Sequence, residues 1–287
     1  MPSLATLQTV HLPNGYRDAE GRWQTEVLLR PWDPSDLEAL AAVPAIPAVK
    51  TSALLGRCVL SSDRCAVGEE FARELSVGDR EALLLRLRSL TLGERIDCLL
   101  ECPACHEKMD LAVNSSELLL QSYENPTPSH RRSISAGGAQ YEVCFRLPNG
   151  ADQEAVTQLA ARDVAAAART LLVRCIESVD EHPVREVPEA LASALSRLMA
   201  ELDPQAQLML ALVCPACGHE FQSLFDVSTF VQREIEQARR RLYREVHLLA
   251  SRYHWSEAEI LGMSAEKRRM YIGFVSEEPA RSWSTAS

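Results

Sequence analysis

Cys102-Pro103-Ala104-Cys105 and Cys214-Pro215-Ala216-Cys217 are the same four-residue word written twice. Two C-x-x-C pairs are the ligand set of one four-cysteine zinc site. Thiolates suit zinc, and two intervening residues let both sulfurs of a pair face one ion. Pro103 and Pro215 pre-set tight turns, and Gly218 can take the φ > 0 conformation that follows such a knuckle. The words lie far apart for a small zinc finger, so the chain between them needs its own explanation.

Comparison of the sequence with itself supplies one. Thr25-Glu26-Val27-Leu28-Leu29-Arg30 matches Tyr141-Glu142-Val143-Cys144-Phe145-Arg146. Ala53-Leu54-Leu55-Gly56-Arg57-Cys58 matches Thr170-Leu171-Leu172-Val173-Arg174-Cys175. Leu83, Leu87 and Leu90 match Leu195, Met199 and Leu202, and then CPAC matches CPAC. The order holds with small gaps, which predicts an internal duplication. Each half reads strand, helix, helix, strand, knuckle, and one ion joins the halves. The fold class expected is α+β, mainly helical, with duplicated halves joined by a four-cysteine zinc ribbon and a C-terminal helical segment.

Other readings of the cysteines compete with this one. A C-x-x-C can be a redox pair, but two copies lack a thioredoxin-like setting. Two separate ions would use Cys98, Cys102, Cys105 and His106 for one, and Cys214, Cys217 and His219 for the other. The second set is a ligand short, so a single shared ion on Cys102, Cys105, Cys214 and Cys217 is preferred. Cys98 has no counterpart in the second half, where Leu210 aligns, and reads as core. Cys58 and Cys175 hold equivalent helix positions, Cys144 lies on a strand, and all three read as small buried hydrophobes. Cys65 reads as an exposed loop residue. His106 and His219 read as neighbours of the site or as solvent-facing residues.

The opening MPSLATLQTVHLPNG carries neither the basic nor the apolar region of an export signal. With nine cysteines, that predicts a reducing bacterial cytoplasm, extending to the assembled particle once the family below is considered. No apolar run is long enough to span a membrane. The net charge of −10 argues against nucleic acid, which needs a basic footprint. The run Arg239-Arg240-Arg241 with Arg244 is interleaved with Glu234, Glu236 and Glu245 and reads as a solvated helix face. A zinc-ribbon regulator that binds nucleic acid is the alternative function.

The chain divides into blocks. Residues 1–120 form the first pseudo-repeat, with a strand at Glu26–Leu29 and helices from Ser35 or Asp36 to Val43, over Ser52–Leu60 and over Arg80–Leu90, the last capped by Ser76. Residues 121–140 are rich in Ser, Pro and Gly and read as a linker or exposed loop. The second pseudo-repeat covers 141–226, with helices over Val164–Cys175 and Ala190–Leu202 and strands Leu208–Val213 and Phe221–Phe225 around its knuckle. Residues 227–276 are helical. Val231, Ile235, Ala238, Leu242, Val246, Leu249 and Tyr253 make an a/d stripe that is expected to pack on its own chain. Ser256 opens a capping box and Ser264 caps a last helix through Phe274. The tail 277–287 reads as disordered. No nucleophile elbow, P-loop or dinucleotide fingerprint occurs, and a closed four-cysteine site has no open position for catalysis, so the chain is read as not an enzyme.

Several words together carry a resemblance: Leu-Pro-Asn-Gly (12–15), VGDREALLL (77–85), LTLGERI (90–96), the CPAC pair, and the segment 245–263 containing Tyr253-His254-Trp255-Ser256-Glu257. Over about 12–275 the chain resembles the zinc-ribbon proteins of contractile-tail gene clusters. These are similar to the baseplate hub subunit or hub-assembly chaperone family of T4-type phages and extracellular contractile injection systems. The resemblance implies a structural or chaperone-like protein that binds hub, spike or tape-measure components.

Overall fold

The computed structural model describes residues 7–18, 20–61, 64–120, 127–184 and 186–277. The fold is mixed α/β. In the first half, β1 (Gln8–Arg17) and β2 (Trp23–Leu29) form an antiparallel hairpin. α1 (Pro34–Ala41) starts at Asp33, whose carboxylate caps Ser35 and Asp36, with proline in the first turn. α2 (Pro47–Cys58) runs into β3 (Val59–Leu60), which adds to β2 as a third strand. α3 (Gly68–Glu74) and α4 (Val77–Leu92) follow. Ser76 caps α4 through the Asp79 amide, and Gly93, at φ 97, ends it where a side chain would be strained. β4 (Arg95–Glu101) and β5 (Lys108–Asn114) flank the first knuckle as a hairpin.

The second half runs in the same order. β6 (His130–Ala136) and β7 (Ala139–Phe145) pair, and α5 (Gly150–Ala160) and α6 (Val164–Cys175) follow. β8 (Ile176–Val179) adds to β7, α7 (Glu189–Leu202) succeeds it, and β9 (Met209–Val213) and β10 (Glu220–Leu224) flank the second knuckle. The expected linker over 121–140 needs correction. Residues 130–140 are strand and turn, because Gly137 and Gly138 take positive φ and close a hairpin; residues 121–126 lie outside the described residues. α3 has no counterpart among the described residues of 180–188.

One buried carboxylate organises each half. In the first, Arg30 grips Asp36 in a fork, Nη1–Oδ2 2.6 Å and Nη2–Oδ1 2.9 Å, and Arg57 Nε donates to Oδ1 at 2.7 Å. In the second, Arg146 grips Asp152 at 2.5 and 3.1 Å, and Arg174 Nε donates at 2.8 Å. The Cys58 and Cys175 thiols lie 3.9 and 3.8 Å from the same carboxylates. Each aspartate also closes the capping box of its own helix. Burial opposes both charges. The arginine and amide hydrogen bonds outweigh it and hold both carboxyls below their usual pKa. Burial, and then Asp152, push the Cys175 thiol up to about 12, so it is an inert neutral group.

The halves meet along α2, α3 and the start of α4. Glu154 of α5 accepts from Ser52 Oγ and from Arg73 Nε at 2.9 Å. Fully buried Arg80 donates to Ser52 Oγ at 3.1 Å and to the Ala48 carbonyl at 2.9 Å. Leu-Pro-Asn-Gly occurs a second time at 147–150, and the two copies converge on Ser76. Asn14 donates to Ser76 Oγ, while Asn149 bridges to Ser76 through the backbone. Asp79 accepts from the Asn14 and Gly15 amides.

α8 (Val227–Tyr253) is one helix of 27 residues, about 40 Å long. Val231, Ile235 and Leu242 join the core of the first half, so the stripe packs on its own chain. Arg88 and Glu234 form a two-point ion pair at 2.9 and 3.0 Å. The arginine run is partly neutralised: Arg239 and Arg240 pair with Glu236. His254, at φ 57, ends α8. α9 (Glu257–Leu261) and α10 (Ala265–Glu277) fold back, held by Arg268–Glu245 at 2.9 Å and by a cluster of Tyr253, Trp255, Tyr271 and Phe274. Glu277 ends α10, and the rest of the expected disordered tail lies outside the described residues. No helix among the described residues is long and apolar enough to cross a membrane.

Candidate metal centre

Both CPAC words sit at the tips of hairpins, between β4 and β5 and between β9 and β10. The chain turns alike in each. The His106 amide donates to the Cys102 carbonyl at 2.9 Å and the Gly218 amide to the Cys214 carbonyl at 2.9 Å. The turn needs positive φ at its last residue. Gly218 adopts φ 73 at no steric cost, and His106 adopts φ 61 in the same place.

The four sulfurs converge, all within 4.8 Å of one another. Cys102 Sγ lies 3.7 Å from Cys217 Sγ, and Cys105 Sγ lies 3.7 Å from Cys214 Sγ. A tetrahedral zinc with sulfur ligands at about 2.3 Å has sulfurs about 3.8 Å apart, so the spacing fits such an ion. Each close contact joins the halves. Cys102 and Cys214 are buried with Met109, against Leu212 and Phe221, while Cys105 and Cys217 face outward. Burial resists charge on Cys102, but the amides of Cys105 and Ala104 bring its thiol down to about 6. On Cys105 the Glu107 amide acts in the same direction, but the neighbouring sulfurs outweigh it and push the thiol up to about 12, so the metal-free cluster concentrates its charge on one sulfur. A cysteine poised as a thiolate is a ready metal ligand.

The remaining candidates lie elsewhere. His106 projects to solvent and its Nδ1 sits 2.8 Å from Glu101, while His219 stacks on Phe221. Cys98 is half-buried on β4 with its thiol 3.7 Å from the Leu111 carbonyl. Cys58 and Cys175 belong to the aspartate networks. Cys144 is only half-buried, and its thiol contacts Glu177 at 3.1 Å rather than core. Cys65 is exposed. The aspartates of the two networks were not anticipated. Extending the Arg30–Arg146 match by six residues reaches Asp36 and Asp152, so the signal was present.

A family model described as T4 bacteriophage base plate protein matches residues 51–232, from α2 to the first turns of α8, and so spans both knuckles. No curated protein and no solved structure matches the chain significantly.

Proposed function

This chain belongs to the T4 bacteriophage base plate protein family, and from that premise we propose that it is a non-enzymatic structural or assembly protein of a contractile-tail baseplate. Its contacts are with hub, spike or tape-measure components, made in the bacterial cytoplasm as the baseplate forms. One zinc ion on Cys102, Cys105, Cys214 and Cys217 ties the two halves together. The halves derive from one strand–helix–helix–strand–knuckle unit by duplication.

The observation that carries this reading is the convergence of four sulfurs from two distant hairpins, inside a region that matches a baseplate family. A closed thiolate site stabilises a fold and leaves no position for substrate. The matching Arg–Asp–Arg–Cys networks support the duplication. Met270 and Phe274, half-exposed on α10 beside the aromatic cluster, are a suitable apolar contact for a partner.

Tagged protein, recovered from cells expressing the tail gene neighbourhood, tests this, with zinc measured in the same eluate. Recovery of hub, spike or tape-measure proteins with about one zinc per chain is expected. Recovery of nucleic acid without tail proteins would overturn the reading.

A further inference from the structure

The two halves stack in series, and the structure shows what covers each face of the first. On one side α8 lies over α1: Leu37 and Leu40 are buried there, and the Glu38 carboxylate sits against Tyr243, raising its phenol pKa. On the other side lie α3 and the N-terminal part of α5. Gly56 lets the α3 backbone come so close that a Cβ on it would stand 2.6 Å from Gly68. Glu154 of α5 reaches across to Ser52 and Arg73. Ser52 and Ala53 are buried on this side, whereas Thr51 is buried toward α8, its Oγ1 2.9 Å from Ser228 Oγ.

The same face of the second half has no cover. Arg169 and Thr170 correspond to Ser52 and Ala53, and both are exposed. Where α3 would lie, the described residues of 180–188 form no helix. In its place is a cleft of about 520 Å³ whose lining includes Arg169, Thr170, Val173, Glu186, Val187 and Ala192. Apart from Glu186, these correspond to Ser52, Ala53, Gly56, Leu75 and Arg80, of which Ser52, Gly56 and Arg80 touch α3 or α5 in the first half. Stacked repeats leave their end faces open unless something caps them. α8 caps one end of this stack, and the other end is bare.

We propose that the cleft between α6 and α7 is the docking site for an amphipathic helix of another baseplate protein, which presents a carboxylate to Arg169 as Glu154 presents its own to Ser52 and Arg73. This rests on the assembly reading above and on the equivalence of the halves. The charge argument is direct. Arg174 is already bound to Asp152, whereas Arg169 has no ion pair among the described residues even though Glu186 shares the cleft, so its guanidinium stays open to a partner's carboxylate beside Val173 and Val187. A second copy of this chain does not fit in the same manner. The surface it would have to offer is α1 with Glu38, and α8 already covers that surface.

A photo-crosslinking residue, p-benzoylphenylalanine, at position 170 tests this in cells assembling tails, with the same residue at exposed position 155 as control. An adduct specific to position 170, mapped by mass spectrometry to an acidic helix of one tail protein, is expected. Arg169→Glu should lower its yield about tenfold while leaving the circular dichroism and thermal midpoint unchanged. An adduct to another copy of this chain, or one indifferent to Arg169→Glu, would overturn the proposal. So would the lack of any adduct at 170 while tail proteins still co-purify with the wild type, which leaves the assembly reading standing. If no tail protein co-purifies, the assembly reading fails and the docking site falls with it.

Discussion

Asp36 and Asp152 each hold two arginines, a thiol and a helix N-terminus with one carboxylate. Removing a partner from such a buried network leaves uncompensated charge, at a cost of about 3–5 kcal/mol. Asp36→Ala and Asp152→Ala are each expected to lower unfolding stability by that order in urea titrations. A loss below about 1 kcal/mol at either site would show that the network is peripheral. Acid acts in the same direction. Both carboxyls have depressed pKa values, so their contribution is present above the unfolded carboxyl pKa and is lost as pH falls through the folded value. Glu81 behaves oppositely. Burial, and then Asp226, raise it to about 8. A raised carboxyl contributes fully below its unfolded pKa and loses that contribution as pH rises through the folded one. Asp79, pushed to about 7 by burial and then by Asp203, adds to the same trend. Stability is therefore expected to peak on the acid side of neutrality and to decline up to about pH 8. Glu81→Gln should flatten that decline by about 1 kcal/mol or more. An unchanged pH profile in the variant would remove Glu81 from the account.

Elements with a strong period were legible in the sequence, and those defined by long-range partners were not. α4, α6, α7 and α8 carry apolar stripes or clear caps, and their positions follow from Leu83, Leu87, Leu195 and the stripe from Val231. β1 was missed because Pro13, Asn14 and Gly15 interrupt its alternation; a register shift in its pairing with β2 accommodates them. β6 was hidden by its polar outer residues Arg131, Arg132 and Ser133. α3 and α5 have short or weak stripes and owe their places to packing partners distant in sequence, α3 to α2 at Gly56 and α5 to Ser52 and Arg73, which a local window does not contain. The convergence of the four knuckle cysteines was legible, since two C-x-x-C words are the pattern of one shared site. Asp36 and Asp152 were legible only through the repeat alignment and not from their own surroundings, because acidic residues in helix first turns are ordinary. α8 gives the element-scale test. Ile235→Ala removes a core side chain that joins α8 to the first half and is expected to cost about 2–5 kcal/mol. Hydrogen exchange should then show α8 opening before the strands. If α8 stays as protected as in the wild type, its packing on the first half is not what holds it.

At the scale of the whole molecule, the chain is two similar units in series with a long helix capping one end and a thiolate cluster tying their hairpins. Apart from the cluster, the halves share the Glu154 contacts and the meeting of two Leu-Pro-Asn-Gly turns at Ser76. Glu154→Ala is expected to weaken the first of these by about 2 kcal/mol, because buried Arg80 loses a counter-charge and Arg73 keeps only Glu69 and Glu70. Cooperative unfolding should survive that change if the proposed ion joins the halves; two separate unfolding transitions would show that Glu154 is the principal tie. The central claim is that one ion is shared between both CPAC words. The direct measurement is zinc per chain, by mass spectrometry of purified wild type, Cys102→Ser and Cys214→Ser. The account predicts about one zinc in the wild type and nearly none in either variant, because each substitution breaks the same site. Two zinc ions in the wild type, or one retained after either substitution, would contradict it.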